Sequence, residues 1–518
     1  MPAIFAYAFS GQLPSLSPQI TRLKREFMYD LLIIGGGING VGIARDAAGR
    51  GLKVLLCEQH DLAQHTSSNS SKLIHGGLRY LEYYEFGLVR KALQEREVLM
   101  RAAPHIIWPL RFIMPHVSHL RPKWMIRAGL FLYDNLAKRT LLAGSNSIKF
   151  AKHTAGKPLK KSFKDGFEYS DGWVYDARLV VLNAMDAREH GAQIWPHTQL
   201  ISAQRHRDHW AATLRNSQGQ TIEVAAKVVV NAAGPWAVDL LEHRLQTPTK
   251  RALRQIKGSH IIVRKMFDHP YAYIFQNKDN RIVFVIPYED DFTLIGTTDI
   301  EYTGDVANVS ISAQETDYLC TLVNEYFETS IAPSDVVSSY AGVRPLLADE
   351  HGNPAEVTRD YQLILDNDNG APVLSIFGGK ITTYRRLAED AMTELARVLP
   401  MSETAWTAHK PLPGGDIANA DFEAFVLAQQ AQYSWLDSKL LRRFARLYGT
   451  RMHVFLAQKN QMADLGEMIC PNLYVTEIDY LREHEWASCA QDILWRRTKL
   501  GLYATPDDVS RLSDYLRN

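Results

Sequence analysis

Cysteine is sparse in this 518-residue chain: Cys57, Cys320, Cys470 and Cys489 stand far apart, and none belongs to a CxxC or CxxH pair. That spacing excludes a zinc ribbon, an iron–sulfur cluster on paired cysteines and a thioredoxin-like dithiol; it fits a reducing cytoplasm, and no metal is expected. No run of 18 or more uncharged apolar residues occurs, so no spanning helix is expected. An excess of one charge is missing too. Lys and Arg number 58 against 57 Asp and Glu, and a formal net charge of +1 gives no global pull toward nucleic acid, which is not expected as a partner. Internal repeats and low-complexity tracts are absent. With 46% hydrophobic and 22% charged residues, the composition excludes both wholesale disorder and a polytopic membrane protein.

The chain is too long for one core, because cores stop growing at roughly 250 to 300 residues. Residues 1–27 place an apolar stretch, 2–9, before the basic Arg22, Lys24 and Arg25, the reverse of a secretory signal. An unstructured extension, or a start upstream of Met28, is the expectation. The lack of acids before Glu26 is a feature shared with organellar transit peptides. The pattern then reads strand (29–34), glycine turn, Ala-rich helix (41–50) and strand (53–58), a βαβ unit. Further helices are expected at 88–103, 177–190 and 382–399. Short β-rich runs fill 253–298, and the chain after the PLPGGD turn reads as mostly helical.

Gly35, Gly37 and Gly40 form GxGxxG between an apolar strand and a helix, the context that lifts this motif above chance. The first glycine allows the tight turn, the second lets the backbone approach a pyrophosphate, and the third packs helix on strand. Glu58 ends the second strand, where an acid accepts hydrogen bonds from the adenosine ribose. These residues predict a dinucleotide, either NAD or FAD. Three later segments bear on the choice: TSSNSSKLIHGGLRY (66–80), VVVNAAGPWA (228–237) and FGGKITTYRRLAED (377–390), each combining small or hydroxyl residues with glycines or cations.

Taken with IKGSH, GTTD and AGVRPL, these segments closely resemble the FAD-dependent glycerol-3-phosphate dehydrogenases of the glycine-oxidase-like flavoprotein superfamily, from about Met28 into the C-terminal region. The resemblance implies a mixed α/β fold. A Rossmann-like FAD-binding domain is expected from 28–110 with 165–245 and 340–400, an inserted antiparallel β substrate domain at 246–339, and a helical C-terminal domain at 401–518. It implies FAD contacts from Gly35, Gly37, Asn39, Gly40, Glu58, Ser67, Ser68, Ser71, Lys72, Leu73, His75, Gly76, Gly77, Ala233, Gly234, Pro235, Trp236, Gly378, Gly379, Lys380 and Thr382. For glycerol 3-phosphate it implies Arg79, Tyr80, Lys380, Arg359 and Thr298, with Thr297 beside it, and catalysis by Arg344, His260 and His75. A phosphate favours such cations, since charge-assisted hydrogen bonds are about twice as strong as neutral ones. Of the two histidines, His260 is expected as the base and His75 as a positioning group. Hydride transfer to flavin N5 would give dihydroxyacetone phosphate, the electrons passing to a membrane quinone.

Between His116 and Arg139 five Lys or Arg face a single acid, and Pro122 starts a helix with Lys123 and Arg127 near Trp124 and Phe131. An anionic membrane surface is the expected partner, with peripheral attachment to the inner face of the cytoplasmic membrane and a homodimer as the expected assembly. The rival readings are an amine oxidase of the same superfamily that uses oxygen, and a catalytically silent dinucleotide-binding regulatory protein.

Overall fold

The computed structural model describes residues 28–117, 120–279, 281–347, 360–401 and 404–517. The extension 1–27 and Arg359 lie outside the described residues.

Strand β1 (Met28–Ile34) is apolar from Leu31 onward because both its faces are covered; Leu31, Leu32 and Ile33 are fully buried. Helix α1 (Ile38–Gly49) follows, and β2 (Val54–Cys57) returns parallel to β1 with Leu31 opposite Val54. The parallel sheet is completed by β3 (Gln193–Trp195), β4 (Thr221–Asn231) and β5 (Val373–Phe377), in the order β5-β4-β1-β2-β3. An antiparallel strand, Gln362–Asp366, closes one edge, and the hairpin Thr198–Arg205/Trp210–Asn216 pairs with the first half of β4.

Four helices matter for the site: α2 (Phe86–Ala102), α3 (Lys123–Asn135), α4 (Asp176–Glu189) and α5 (Tyr384–Leu395). On one face of the parallel sheet α1 packs with α4 and α5, sharing a core that includes Val41, Ala44, Val181, Met185, Leu387 and Ala391. Helix α3 is different. Only Leu130 and Tyr133 of its residues are fully buried, with Ile126 packed partly against the same core and Trp124, Phe131 and Leu132 exposed.

Among the described residues the second sheet has ten strands. At one side of it stands the long antiparallel pair Leu253–Arg264/Val336–Leu347, in which His260 lies opposite Tyr340. Strands Ala272–Gln276, Ile282–Tyr288 and Phe292–Gly296 extend it as the 253–298 pattern predicts. It also takes in Leu73–Ile74, Ile107–Pro115 and Asp165–Val174, so the β layer is wider than residues 246–339. The reason is strand pairing: Ile107–Pro115 joins Ala272–Gln276 in parallel and Asp165–Val174 antiparallel, which no local pattern signals.

The helices after residue 404 build their own core around Leu441, Phe444, Tyr448 and Ile478. Buried ion pairs hold that core to the first domain. Arg178 of α4 meets Glu485, and Arg497 reaches Asp61 at 2.8 Å. Removing one partner of such a pair costs about 3–5 kcal/mol, because the other charge stays buried without compensation.

Candidate active site

One cavity of about 840 Å³ opens beyond the carboxyl ends of β1 and β2, running from Gly37 and Glu58 to Arg344 and Lys380. Strand order reverses at β1, and ligands of open α/β sheets bind at such a switch point.

The first end of the cavity is made of main chain. Gly35 has φ +115°, and a Cβ there would lie 2.4 Å from the Ala232 carbonyl oxygen; a Cβ at Gly40 would lie 1.9 Å from that of Gly35. Only glycines let the turn and α1 come this close. Glu58 braces the turn, accepting the Gly36 N–H at 2.7 Å and the His60 N–H at 2.8 Å. Burial pushes its carboxyl above the ordinary range, with these two N–H bonds pulling the other way. Ser67 Oγ accepts the Ile38 N–H at 3.0 Å, capping the start of α1. Ala233, Gly234, Pro235 and Trp236 after β4, and Gly378 and Gly379 after β5, complete this wall.

The other end is made of side chains from distant segments. Arg79 and Tyr80 come from a 3-10 turn, Leu78–Tyr83; Lys380 follows the glycine pair, its ammonium 3.8 Å from the centre of the Tyr80 ring. Arg344 projects from Val336–Leu347 and pairs with Asp299, with Thr297 Oγ1 at 3.4 Å. His75 lines the cavity, its backbone N–H donating to Thr382 Oγ1 at 3.2 Å. Burial lowers the His75 imidazole to about 4, and the charges of Lys380, Arg96 and Arg344 reinforce the shift. The ring is therefore neutral at neutral pH. Phe112, Tyr169 and Phe284 supply an apolar wall, with Asp171 beside them.

Several predicted residues sit elsewhere. His260 is buried behind Ser71, its Nε2 2.9 Å from Ser71 Oγ and its ring stacked on Tyr340; it does not line the cavity. Burial, then Arg344 and Lys72, lower its pKa well below the usual histidine value. A group so placed bonds Ser71 from behind the wall, so of the two histidines expected in catalysis it is His75, and not the expected base His260, that lines the cavity. Thr298 is fully buried, donating to Glu315 Oε1 at 2.8 Å, whereas its neighbour Thr297 lines the cavity. Lys72 turns away: its ammonium is held by Ser68 O at 3.0 Å and both Asp176 oxygens at 2.9 Å. It ties the loop to Asp176 and does not line the cavity. Ser68, Gly40 and Gly76 likewise act behind the wall, while Leu73, Ser71, Gly77 and Thr382 lie on it.

Residues 30–385 match the family model described as FAD dependent oxidoreductase, and residues 405–513 match the C-terminal domain of alpha-glycerophosphate oxidase. A glycerol-3-phosphate dehydrogenase of Pseudomonas aeruginosa is 55% identical, with 95% of each chain covered. The chain belongs to the FAD-dependent glycerol-3-phosphate dehydrogenases. A D-erythritol 1-phosphate dehydrogenase of Brucella abortus is 49% identical over 94% of this chain and 98% of its own. Among solved structures, the glycerol-3-phosphate dehydrogenase of Bacillus halodurans complexed with FAD aligns with a TM-score of 0.73 at 26% identity, covering 96% of both chains.

In this flavoenzyme the residues present fit FAD. The glycine cradle leaves no room for a Cβ where Gly35 and Gly40 meet, and α1 begins at the cavity. Asn39 lines the wall, donates to the Gly378 carbonyl at 3.2 Å, and leaves Oδ1 buried with no hydrogen-bond partner. An acceptor so placed suits a ligand rich in hydroxyls. Sequence reasoning missed His60 and His65, whose rings meet at 2.9 Å on the wall, along with Asp171 and Asp299. Asp299 lies within the GTTD segment, so proximity to a quoted motif was the available signal. Asp171 had none.

Proposed function

We propose that this enzyme oxidises the secondary alcohol of glycerol 3-phosphate to dihydroxyacetone phosphate and delivers the electrons to a membrane quinone. The carrying observation is the meeting of Arg79, Arg344 and Lys380 with His75 at one end of one cavity. Arg79 and Lys380 bind the phosphate, with the Tyr80 hydroxyl as a further donor, and Arg344 steadies the alcohol oxygen as its proton leaves. A ring nitrogen of the neutral His75 takes that proton. A dianion held among the same cations offsets their field, which raises the basicity of His75 toward the working range. When bound, FAD accepts the hydride. Phe112, Tyr169 and Phe284 keep water from the reacting carbon.

The Brucella relative supports a second substrate of the same kind, a four-carbon polyol phosphate with a terminal phosphate and a secondary alcohol. Anaerobic flavin bleaching by glycerol 3-phosphate and by D-erythritol 1-phosphate, compared as kcat/KM, tests both. Faster bleaching by the C4 substrate reassigns the enzyme, and no bleaching by either sinks the reading.

No described helix is long and apolar enough to cross a membrane. Peripheral attachment is supported by one exposed aromatic face: Trp124 (70% exposed) and Phe131 (59%) on α3, beside Tyr84 (80%) at the end of the turn that carries Arg79. The basic residues there are engaged, Arg121 with Glu82, Lys123 with Asp165 at 2.5 Å, and Arg127 with Ser145 Oγ at 2.6 Å. Apolar insertion therefore outweighs charge in this reading. Trp124→Glu with Phe131→Glu should release the protein from anionic vesicles and lower quinone reduction while sparing bleaching. Unchanged co-sedimentation moves the membrane face elsewhere.

A further inference from the structure

Helix α3 sends a polar group into the wall of the cavity's far end. The Tyr133 hydroxyl accepts the Gly76 N–H at 2.8 Å and lies 2.8 and 2.9 Å from the two carboxylate oxygens of Asp171, to which it donates. Asp171 is in turn paired with Arg96 of α2, whose Nη1 also donates to the Ser170 carbonyl at 3.0 Å. All these side chains are buried.

Gly76 is fitted against this tyrosine. A Cβ at Gly76 would lie 2.8 Å from Tyr133 Cε2 and 2.8 Å from its hydroxyl oxygen. On either side of Gly76 stand His75 and Gly77, both on the cavity wall, and Gly77 takes a left-handed conformation with φ +75°. The backbone of residues 75–77 is thus pinned twice, by Thr382 Oγ1 at the His75 N–H and by Tyr133 at the Gly76 N–H.

The hydroxyl has one proton. Because Asp171 draws it, a lone pair is left aimed at Gly76, and the Arg96 charge fixes the carboxylate that makes this choice. A phenylalanine at this position would take the hydroxyl from between the Gly76 N–H and Asp171, leaving that N–H only its bond toward the Asp171 carboxylate, which the backbone improves by moving. A shift near 1 Å of a catalytic group costs on the order of 10²-fold in rate.

We propose that Tyr133 is a positioning residue of this active site: its hydroxyl, oriented by Asp171 and Arg96, sets the backbone of residues 75–77 and so aims the His75 imidazole. The proposal rests on the reading of His75 as proton acceptor. The element that does this is the same helix whose outer face carries Trp124 and Phe131, so surface face and active-site backbone share one rigid segment.

The test uses the full-length holoenzyme and stopped-flow flavin reduction by glycerol 3-phosphate, with flavin content recorded for each variant. Tyr133→Phe should keep its flavin, reduce it roughly tenfold to a hundredfold more slowly at saturating substrate, and change KM by less than about threefold. Leu130→Ala removes the other buried side chain of α3 and destabilises the helix without touching the hydroxyl; it should reduce flavin at the normal rate. His75→Gln is run alongside. Normal reduction by Tyr133→Phe overturns the proposal, as does equal slowing in Tyr133→Phe and Leu130→Ala, which would make helix packing the cause. Loss of flavin from Tyr133→Phe with flavin kept by Leu130→Ala also overturns it, assigning the hydroxyl to folding. If His75→Gln reduces flavin normally, the underlying reading of His75 fails; if His75→Gln is slow and Tyr133→Phe normal, only the positioning role fails.

Discussion

The two ends of the cavity are built from different materials. The turn after β1 is main chain, drawn from residues 34–40 with Glu58 as its brace. The far end is assembled from His75 and Arg79 of one segment with Asp171, Asp299, Arg344 and Lys380 from segments remote in sequence. A backbone site gets its specificity from close approach, and so fails when a Cβ is added. A side-chain site gets it from charge, and fails one interaction at a time. The first should therefore break as a whole and the second by degrees.

The largest effect tests the first half of that contrast. Gly40→Ala places a methyl 1.9 Å from the Gly35 carbonyl oxygen, where only backbone is available to yield. The purified variant should carry no flavin by absorbance; a fully yellow protein breaks the comparison at once. Next comes Arg344→Ala, which should retain FAD and lose about 10²- to 10³-fold in kcat/KM, the scale set by removing one group that stabilises an oxyanion. Loss of flavin from that variant would mean the two ends are not separable.

Histidines at both ends sharpen the comparison through pH. His65 at the nucleotide end and His75 at the other are each lowered to about 4, chiefly by burial. Between pH 4 and the unperturbed value of about 6.5 the unfolded chain binds protons that the native state refuses. Stability contributed by these neutral rings is present above about pH 6.5 and is lost as pH falls toward 4. His65→Gln or His75→Gln should each flatten the fall of the urea midpoint in that window by at most one proton, about 1.4 kcal/mol per pH unit. Equal flattening from the two ends is expected, and a flat profile already in the parent protein removes the argument.

The smallest effect concerns Asp299. Its pair with Arg344 is 40% and 38% exposed, so it is worth no more than about 1 kcal/mol. Asp299→Asn should leave the full charge of Arg344 facing the dianion and lower KM by about fivefold at most. A raised KM would show instead that Asp299 orients the guanidinium.

These contrasts also explain what could be read in advance. The βαβ unit, its glycines and Glu58 were legible because strand, turn and helix follow one another and each declares itself within a few residues. The segments carrying Arg79, Arg344 and Lys380 were legible as motifs, through family resemblance, and the cavity brings all three together. Facing was not legible. Thr297 lines the cavity and Thr298 is buried on Glu315; His260 lies behind Ser71, and Lys72 turns back onto Asp176. Nor did any pattern mark Asp171 or Tyr133.

By itself, then, the sequence determined the cofactor turn and the kinds of groups the chemistry uses, because both follow from short-range sterics and from charge. Tertiary structure decided which of two neighbouring residues lines the cavity. Thr297 and Thr298 follow the strand Phe292–Gly296, and the second is turned inward because Glu315, from a segment that packs there only in the folded chain, accepts its hydroxyl.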